Sequence, residues 1–547
     1  MRQSKSGLDF NTQHDLFGQV EPITLSIEKT ADKIGVSTAT IHNWIKTGYL
    51  LSSNGKVLSS SIENFIAEFV GKDKLIARAN KLKKDNHNHT LLSNIIENKI
   101  NSDTFDDNLG EMYQNSLSES FRNKEGIYYT PFNVVKDMMK SITDVENKTF
   151  LDPCCGGGNF IMQALEAGFK TENVYGFDTD INAVEITKKR IFNKTGYKTN
   201  NIICADFLNS PQQNFDYIFT NPPWGKKLSQ EERKQYSIIY NLQKNIDTSS
   251  LFFVVCLQRL NNGGKIGFLL PEAFFNISTF EDVRKQALEY KIERFIDYGN
   301  IFKGLITKAQ AIILSREFAN DDLVQCEFEN TKFTRRLNSF VNIPKHILNF
   351  WAKEDDVKTI EHTFSVHHIT LQNNAQWGLG IVTGNNKKIC KSNYTADCKP
   401  VFRGQDITKE GLKEPVLFIN EEDLKFCQQV APIEYYKAKE KLIYRFISNK
   451  LVCFYDNEQR YILNSANMLI LKDNFPLSTK QLTDLLNSNF MNWLFDKIFH
   501  THKILRGDLE LLPIHTGYFI TNKDFDEDKY LNYLQIEIKD GTYRVKR

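Results

Sequence analysis

Asn221-Pro222-Pro223-Trp224 follows Asp152-Pro153-Cys154-Cys155-Gly156-Gly157-Gly158-Asn159-Phe160 by about 70 residues, and these two segments decide the fold. Each comes directly after a run that reads as a strand, Thr149-Phe150-Leu151 before the glycines and Phe215-Asp-Tyr-Ile-Phe-Thr220 before the second segment. In a doubly wound α/β sheet, ligands gather at the carboxyl ends of the strands, beside the point where strand order reverses. Two such loops on one sheet face the same crevice. The glycine-rich loop suits a cofactor, and the Asn-Pro-Pro-aromatic loop suits a planar amino group.

Downstream carboxylates sharpen the first half of that crevice. Gly156 to Gly158 sit where a strand turns into a helix beginning near Phe160, and glycine allows the tight turn and the close approach of a ligand. Asn173-Val-Tyr-Gly-Phe-Asp178 ends a second strand with an acid about twenty positions after the glycines, the spacing at which a carboxylate accepts two ribose hydroxyls. Ile202-Ile-Cys-Ala-Asp206-Phe207 ends a third, with Asp206 placed to accept from an adenine amino group and Phe207 to lie against the ring. Each acid alone also reads as a strand-end cap. In the second half, an exocyclic amine is a poor nucleophile because its lone pair is delocalised into the ring. The Asn221 amide oxygen and the Pro222 carbonyl would pull on its hydrogens and localise that pair. Pro223 stiffens the loop, and Trp224 offers a stacking face worth about 1–3 kcal/mol. The pairing points to methyl transfer from S-adenosylmethionine to an exocyclic amine.

This order of motifs resembles that of the gamma-class adenine-N6 DNA methyltransferases of restriction–modification systems. Tyr128-Tyr129-Thr130-Pro131 is similar to the element that, in the family, closes over the methionine end of the cofactor. The chain departs from the family pattern at Cys154, where Ala is usual, at Gly157, where Ser or Thr is frequent, and at Trp224, where Tyr or Phe is usual. The resemblance implies cofactor contacts from Tyr129, Thr130, Pro131, Asp152, Pro153, Cys154, Gly156, Gly158, Phe160, Asp178, Asp206 and Phe207. It implies Asn221, Pro222, Pro223 and Trp224 as the catalytic loop, acting on N6 of an adenine flipped out of double-stranded DNA at a cost of a few kcal/mol. Within Gly299-Asn-Ile-Phe302-Lys-Gly304, Phe302 is the candidate second aromatic on the far side of that base, a core phenylalanine being its other reading.

A chain of 547 residues exceeds one core, and we expect a Rossmann-like methyltransferase domain at 116–335. A helix-turn-helix domain with a polar tail (1–75) and a charged helical connector (76–115) precede it, and an α+β target-recognition domain (336–547) follows. In the first of these, Ile41, Trp44 and Ile45 follow the N-cap Ser37 at helical spacing, as in the helix-turn-helix of excisionase and MerR-like proteins. Its second helix would carry Thr38, Thr40, His42 and Asn43 outward to DNA; a hairpin used only for packing is the alternative. Beyond residue 370, Trp377–Gly384, Val401–Ile407, Lys441–Arg445 and Leu486–Phe490 through Leu512–Ile514 resemble the family's recognition domain, and a late helix is expected at Leu482–Phe499. Arg403, Arg445, Lys503 and Arg506 are the candidate DNA contacts there, each of which also reads as a solvated surface charge.

Composition excludes more than it identifies. Net charge is +2, which neither demands nor excludes nucleic acid. No apolar run reaches the length of about 18 residues that a membrane span needs, and no signal-peptide core follows the N-terminus. Nine scattered cysteines without a Cys-x-x-Cys fit a reducing cytoplasm and no structural metal. The expected partners are double-stranded DNA, bound by a monomer, and a separately encoded restriction endonuclease. A fused nuclease and a DNA-binding regulator with a secondary methyltransferase role are the alternatives; the absence of a Pro-Asp dipeptide argues against the first.

Overall fold

The computed structural model describes residues 128–226, 228–242, 246–302, 305 and 307–546. Of the N-terminal part it describes 12–14, 20–22, 24–34, 38, 41, 44, 45, 50, 52, 53, 56–59, 61 and 62. Two compact units divide the chain. The first comprises 1–213, 218–227 and 302–304; the second comprises 214–217, 228–301 and 305–547.

In the first unit, helix α1 (Ile27–Ile34) opens at Ser26, whose hydroxyl accepts from the Lys29 amide at 3.3 Å. Ala31, Ile41, Trp44, Leu50, Val57 and Ile62 bury together as a small core beside short antiparallel strands at Thr24–Leu25, Ser52–Ser53 and Lys56–Leu58. Ile41 and Trp44 are on its buried side, and Thr38 is exposed. Thr40, His42 and Asn43 lie outside the described residues, as does the 76–115 connector.

The same unit holds helix α2 (Phe132–Met139), strand β1 (Phe150–Asp152), helix α3 (Asn159–Ala167), strand β2 (Val174–Asp178), helix α4 (Ile181–Thr195), strand β3 (Ile202–Cys204) and the end of strand β4 (Phe215–Thr220). Their spatial order is β4-β1-β2-β3. β1 pairs with β2, and β2 with β3, in parallel, as helical crossovers require. The chain winds outward through β2 and β3 and then returns to the other side of β1. The carboxyl ends of β1 and β4 therefore flank the point where strand order reverses, the place where such sheets take their ligands.

The second unit continues with helix α5 (Thr248–Gln258), strand β5 (Leu260–Pro271), helix α6 (Glu281–Ala287) and strands β6 (Tyr290–Gly299), β7 (Ala309–Phe318), β8 (Leu323–Phe328) and β9 (Thr331–Arg336). These strands lie in the order β5-β7-β6-β8-β9, antiparallel except for β6 with β8. The expected strands at 265–271 and 309–314 are β5 and β7. α5 buries every residue from Thr248 to Leu257, the pattern of a helix covered on all sides.

Strands β10 (Ala375–Leu379), β11 (Cys398–Phe402), β12 (Phe418–Asn420), β13 (Lys441–Arg445), β14 (Cys453–Asp456), β15 (Tyr461–Ile462) and β16 (Ala466–Leu471) make two further sheets of this unit, ordered β10-β16-β13-β14 and β12-β11-β15. Lys441 and Asp456 pair across β13 and β14 with no solvent exposure, and Arg460 Nη1 reaches the same carboxylate at 2.8 Å. The expected late helix is two, α7 (Thr479–Asn487) and α8 (Asn489–Phe499). Ser488 takes an extended backbone between them, and its hydroxyl accepts from the Met491 amide at 3.1 Å. A capping serine outcompetes helix continuation there.

Arg284 on α6 is fully buried, and burial lowers its pKa to about 9. Its guanidinium donates to the carbonyls of Phe274, Ile277, Lys345 and His346 at 2.7–2.9 Å. It holds Lys345 and His346 in the left-handed region, at φ of 57° and 49°. Arg284→Met is expected to lower the unfolding free energy by about 1–3 kcal/mol, because the Phe274, Lys345 and His346 carbonyls lose this donor while the Ile277 carbonyl keeps the Phe280 amide. An unchanged urea midpoint would mean that they reach water instead.

Candidate active site

Asp152 ends β1 and Thr220 ends β4. The Thr220 hydroxyl donates to Asp152 Oδ1 at 2.6 Å, and the Cys154 amide donates to the same oxygen at 3.1 Å. Asp152 is 1% exposed. Burial pushes its carboxyl up to about 7 against these two hydrogen bonds, and the charge of Asp178 adds to the rise. Its other oxygen, Oδ2, is buried and has no hydrogen-bond partner among the described residues.

The glycine turn begins two residues later. Gly156 and Gly158 have φ of +48° and +86°, where a side chain would be strained. At Gly158, which caps α3, an added Cβ would also come within 2.8 Å of Thr187. The turn is clamped from both sides. Asp178 Oδ2 accepts from the Gly156 amide at 2.8 Å, and Asp178 Oδ1 accepts from the Asp180 amide at 2.9 Å. Burial raises the Asp178 pKa. From α4, the Thr187 hydroxyl donates to the Gly156 carbonyl at 2.8 Å, and Arg190 donates to the Gly157 carbonyl and to Asn159 Oδ1. Asn159 in turn donates to the Thr130 carbonyl at 2.9 Å and accepts from the Tyr129 hydroxyl at 2.7 Å. Thr187, Arg190 and the part played by Asn159 were not singled out from sequence; the three-residue spacing of Thr187 and Arg190 on α4 was the available signal. Cys155 is buried, and its thiol is pushed well above the usual range by burial, which leaves it inert.

These segments line an open cleft. Tyr128, Tyr129, Thr130, Asp152, Cys154, Cys155, Gly156, Gly157, Asn159, Phe160 and Asn221 form its wall. Asn221 is the first residue past β4. Its Nδ2 donates to the Tyr128 carbonyl at 3.0 Å, which fixes the way the amide faces. Its Oδ1 is buried and has no partner among the described residues. Beside it stand three rings. Tyr128 lies 6.1 Å from Trp224 and 5.2 Å from Phe302, and Trp224 meets Phe302 edge to face at 5.3 Å and 80°. Trp224 and Phe302, expected to flank a base, here touch each other.

The other expected residues lie as follows. Pro131 caps α2, Pro153 is buried within the turn, and Pro222 and Pro223 carry the chain from Asn221 to Trp224. Asp206 is exposed and caps the turn after β3, accepting from the Leu208 amide at 3.0 Å and from Asn209 Nδ2 at 3.2 Å. Phe207 is 1% exposed and packs against Phe177 with ring centroids 5.3 Å apart. Neither residue is part of the cleft wall. In the second unit, Arg403 forms two bonds of 2.9 Å to Asp406, and Arg445 Nε donates to the Ile407 carbonyl at 2.8 Å. Arg506 pairs with Glu510 at 2.8 Å over the ring of Trp377, and Lys503 is exposed. Among the described residues no group of side chains could hold a metal ion, and no helix is long and apolar enough to cross a membrane.

Comparison with known proteins bears on this geometry. The family model for N-6 DNA Methylase matches residues 104–399, and that for the TaqI-like C-terminal specificity domain matches 399–514. The type II methyltransferase M.VspI of Vibrio sp. (strain 343) is 42% identical over 406 residues, which are 73% of this chain and 100% of that protein. The type II methyltransferase M.HincII of Haemophilus influenzae is 27% identical over 176 residues, 31% of this chain and 32% of that one. Among solved structures, the type IIL restriction-modification enzyme MmeI in complex with DNA aligns with a TM-score of 0.48 at 11% identity, over 73% of this chain and 70% of that one. Because the first model spans more than half of the chain and the second takes up where it ends, this protein belongs to the N-6 DNA methylase family and carries a TaqI-like C-terminal specificity domain.

Proposed function

We propose that the chain moves a methyl group from S-adenosylmethionine to N6 of an adenine flipped from double-stranded DNA, as the modification enzyme of a restriction–modification system. One observation carries this reading. Asn221 presents a buried acceptor that has no partner among the described residues, its amide oriented by the bond from its own Nδ2 to the Tyr128 carbonyl. A buried acceptor left open costs about 1–3 kcal/mol, and an amine hydrogen would satisfy it. The Pro222 carbonyl is the second acceptor in this reading, and Trp224 and Phe302 close on the two faces of the base.

The cleft also fits the cofactor. The open oxygen of Asp152 suits its ammonium group. Asp178 Oδ2 takes the Gly156 amide and Oδ1 the Asp180 amide, and a carboxylate oxygen has a second lone pair to offer a ribose hydroxyl. Asp206, on the turn anchored by Phe207, is read as the acceptor for the adenine amino group. Tyr129, Thr130, Cys154, Gly156 and Phe160 complete the wall, and Pro131, Pro153 and Gly158 shape the backbone behind it. When bound, S-adenosylmethionine supplies a methyl group on a positively charged sulfur. The protein's own part is to orient the amine, localise its lone pair and exclude water.

This proposal includes the domain assignment 1–75, 76–115, 116–335 and 336–547, action as a monomer on DNA, and a separately encoded endonuclease. The packed core around Trp44, with Thr38 exposed, also favours a helix-turn-helix that contacts DNA through the 37–46 segment.

Asn221→Ala should bind S-adenosylmethionine normally and lose methyl incorporation into DNA by roughly a hundredfold or more. Retained turnover would remove Asn221 from its role. Trp224→Ala should weaken productive DNA binding by about 1–3 kcal/mol and leave cofactor affinity unchanged. Because the Asp152 carboxyl titrates near 7, its charged form grows as pH rises. Calorimetry should then show cofactor affinity rising about tenfold per pH unit from 5 toward 7, with Asp152→Asn weak and flat. A flat wild-type profile would show that Asp152 does not meet the ammonium group.

A further inference from the structure

Two loops of the second unit are zipped together through their backbones. Ile447 and Lys503 form an antiparallel bridge, the Ser448 amide donates to the His502 carbonyl at 3.0 Å, and the Ile504 amide donates to the Phe446 carbonyl at 2.9 Å. Each loop is braced again. The Ser448 hydroxyl donates to the Lys450 carbonyl at 2.6 Å and accepts from the Lys450 amide at 3.1 Å. The Thr501 hydroxyl accepts from the Lys503 amide at 3.2 Å, and His502 Nδ1 stands 3.3 Å from Glu272 Oε1. Residues 445–450 and 500–506 carry Arg445, Lys450, Lys503 and Arg506, and neither stretch contains an Asp or a Glu.

At the crest of this ridge, Ile447 is 52% exposed, and Asn449, Lys450 and Lys503 are exposed beside it. A branched aliphatic side chain held toward water by a braced backbone forgoes its burial energy in the free protein. The surface that complements it is anionic at its rim and apolar within. Duplex DNA has that chemistry, with phosphates outside and base-pair edges in the groove between them.

We propose that this two-loop ridge is a DNA-reading edge of the specificity domain. Lys450 and Lys503 neutralise phosphates, Ile447 presses on base-pair edges between them, and Asn449 offers an amide to a base. The inference rests on the reading that duplex DNA is the substrate. It keeps Lys503 as a DNA contact, adds Lys450 beside it, and adds Ile447 and Asn449 as residues that set specificity.

The test uses the full chain and a fluorescent duplex carrying its methylation site, located by mapping modified bases in a host that lacks other methylases. The double variant Lys450→Gln/Lys503→Gln should reduce the slope of log affinity against log salt by about 2. Ile447→Ala should keep the slope and lose about tenfold in discrimination between the site and a scrambled duplex, while Ile447→Met retains most of it. Unchanged slope and discrimination in all three variants, with methylation intact, would overturn the ridge and leave the proposed reaction standing. If that host shows no modified base, the reaction falls, and the ridge is still tested by the salt slope of the wild type against the double variant on a random-sequence duplex. Displacement of the chain from an acidic protein, with no effect on DNA, would also overturn it.

Discussion

The hydrogen bond from the Thr220 hydroxyl to Asp152 Oδ1 joins the carboxyl ends of two strands that are 68 residues apart in sequence. A carboxylate buried at the head of a parallel sheet is costly, and a charge-assisted bond returns about 1.5–3 kcal/mol of that cost. The bond leaves one oxygen of Asp152 open and brings the next residue along, Asn221, to the wall of the same cleft. Where the two strands meet, the glycine turn and the Asn-Pro-Pro-Trp loop meet too. Strand pairing sets the two loops side by side, and this bond adds a side-chain tie at the point where they leave the sheet.

Rigidity around that bond comes from a second layer. Asn159 takes three bonds, from Arg190, from Tyr129 and to the Thr130 carbonyl. It thereby couples the glycine turn to the 128–131 segment, whose Tyr128 carbonyl orients Asn221. One network fixes both the cradle and the acceptor. The proposed reaction brings a charged ligand and a neutral amine to this site, and dipoles that need no reorganisation suit both.

What could be read in advance, and what could not, follows from how each residue acts. The strand ends, the glycines at positive φ and the Asn-Pro-Pro-aromatic turn work through their own backbone, so their pattern is local and legible. Thr187, Arg190 and Arg284 act through side chains on carbonyls distant in sequence, and no local pattern announces that. The late helix read as one piece breaks at Ser488 because a single capping serine outweighs an apolar period that runs on through it. Arg403 and Arg445 read as free cations, and the fold commits both to neighbours, one to a carboxylate and the other to a carbonyl. Lys503 was legible as a charge, but its pairing with Ile447 was not.

The aromatic trio sets how the base would be admitted. Trp224 and Phe302 meet edge to face, and a stacked purine needs an open face. Breaking such a pair forgoes about 0.5–1.5 kcal/mol, and stacking a base on an aromatic ring returns about 1–3 kcal/mol. The exchange therefore favours the base by at most a couple of kcal/mol, less than the few kcal/mol that extruding it from a duplex requires. The shortfall has to come from contacts made to DNA elsewhere on the chain. Under the proposed reaction, a duplex that does not satisfy the specificity domain would leave the three rings closed on one another and keep its adenine stacked.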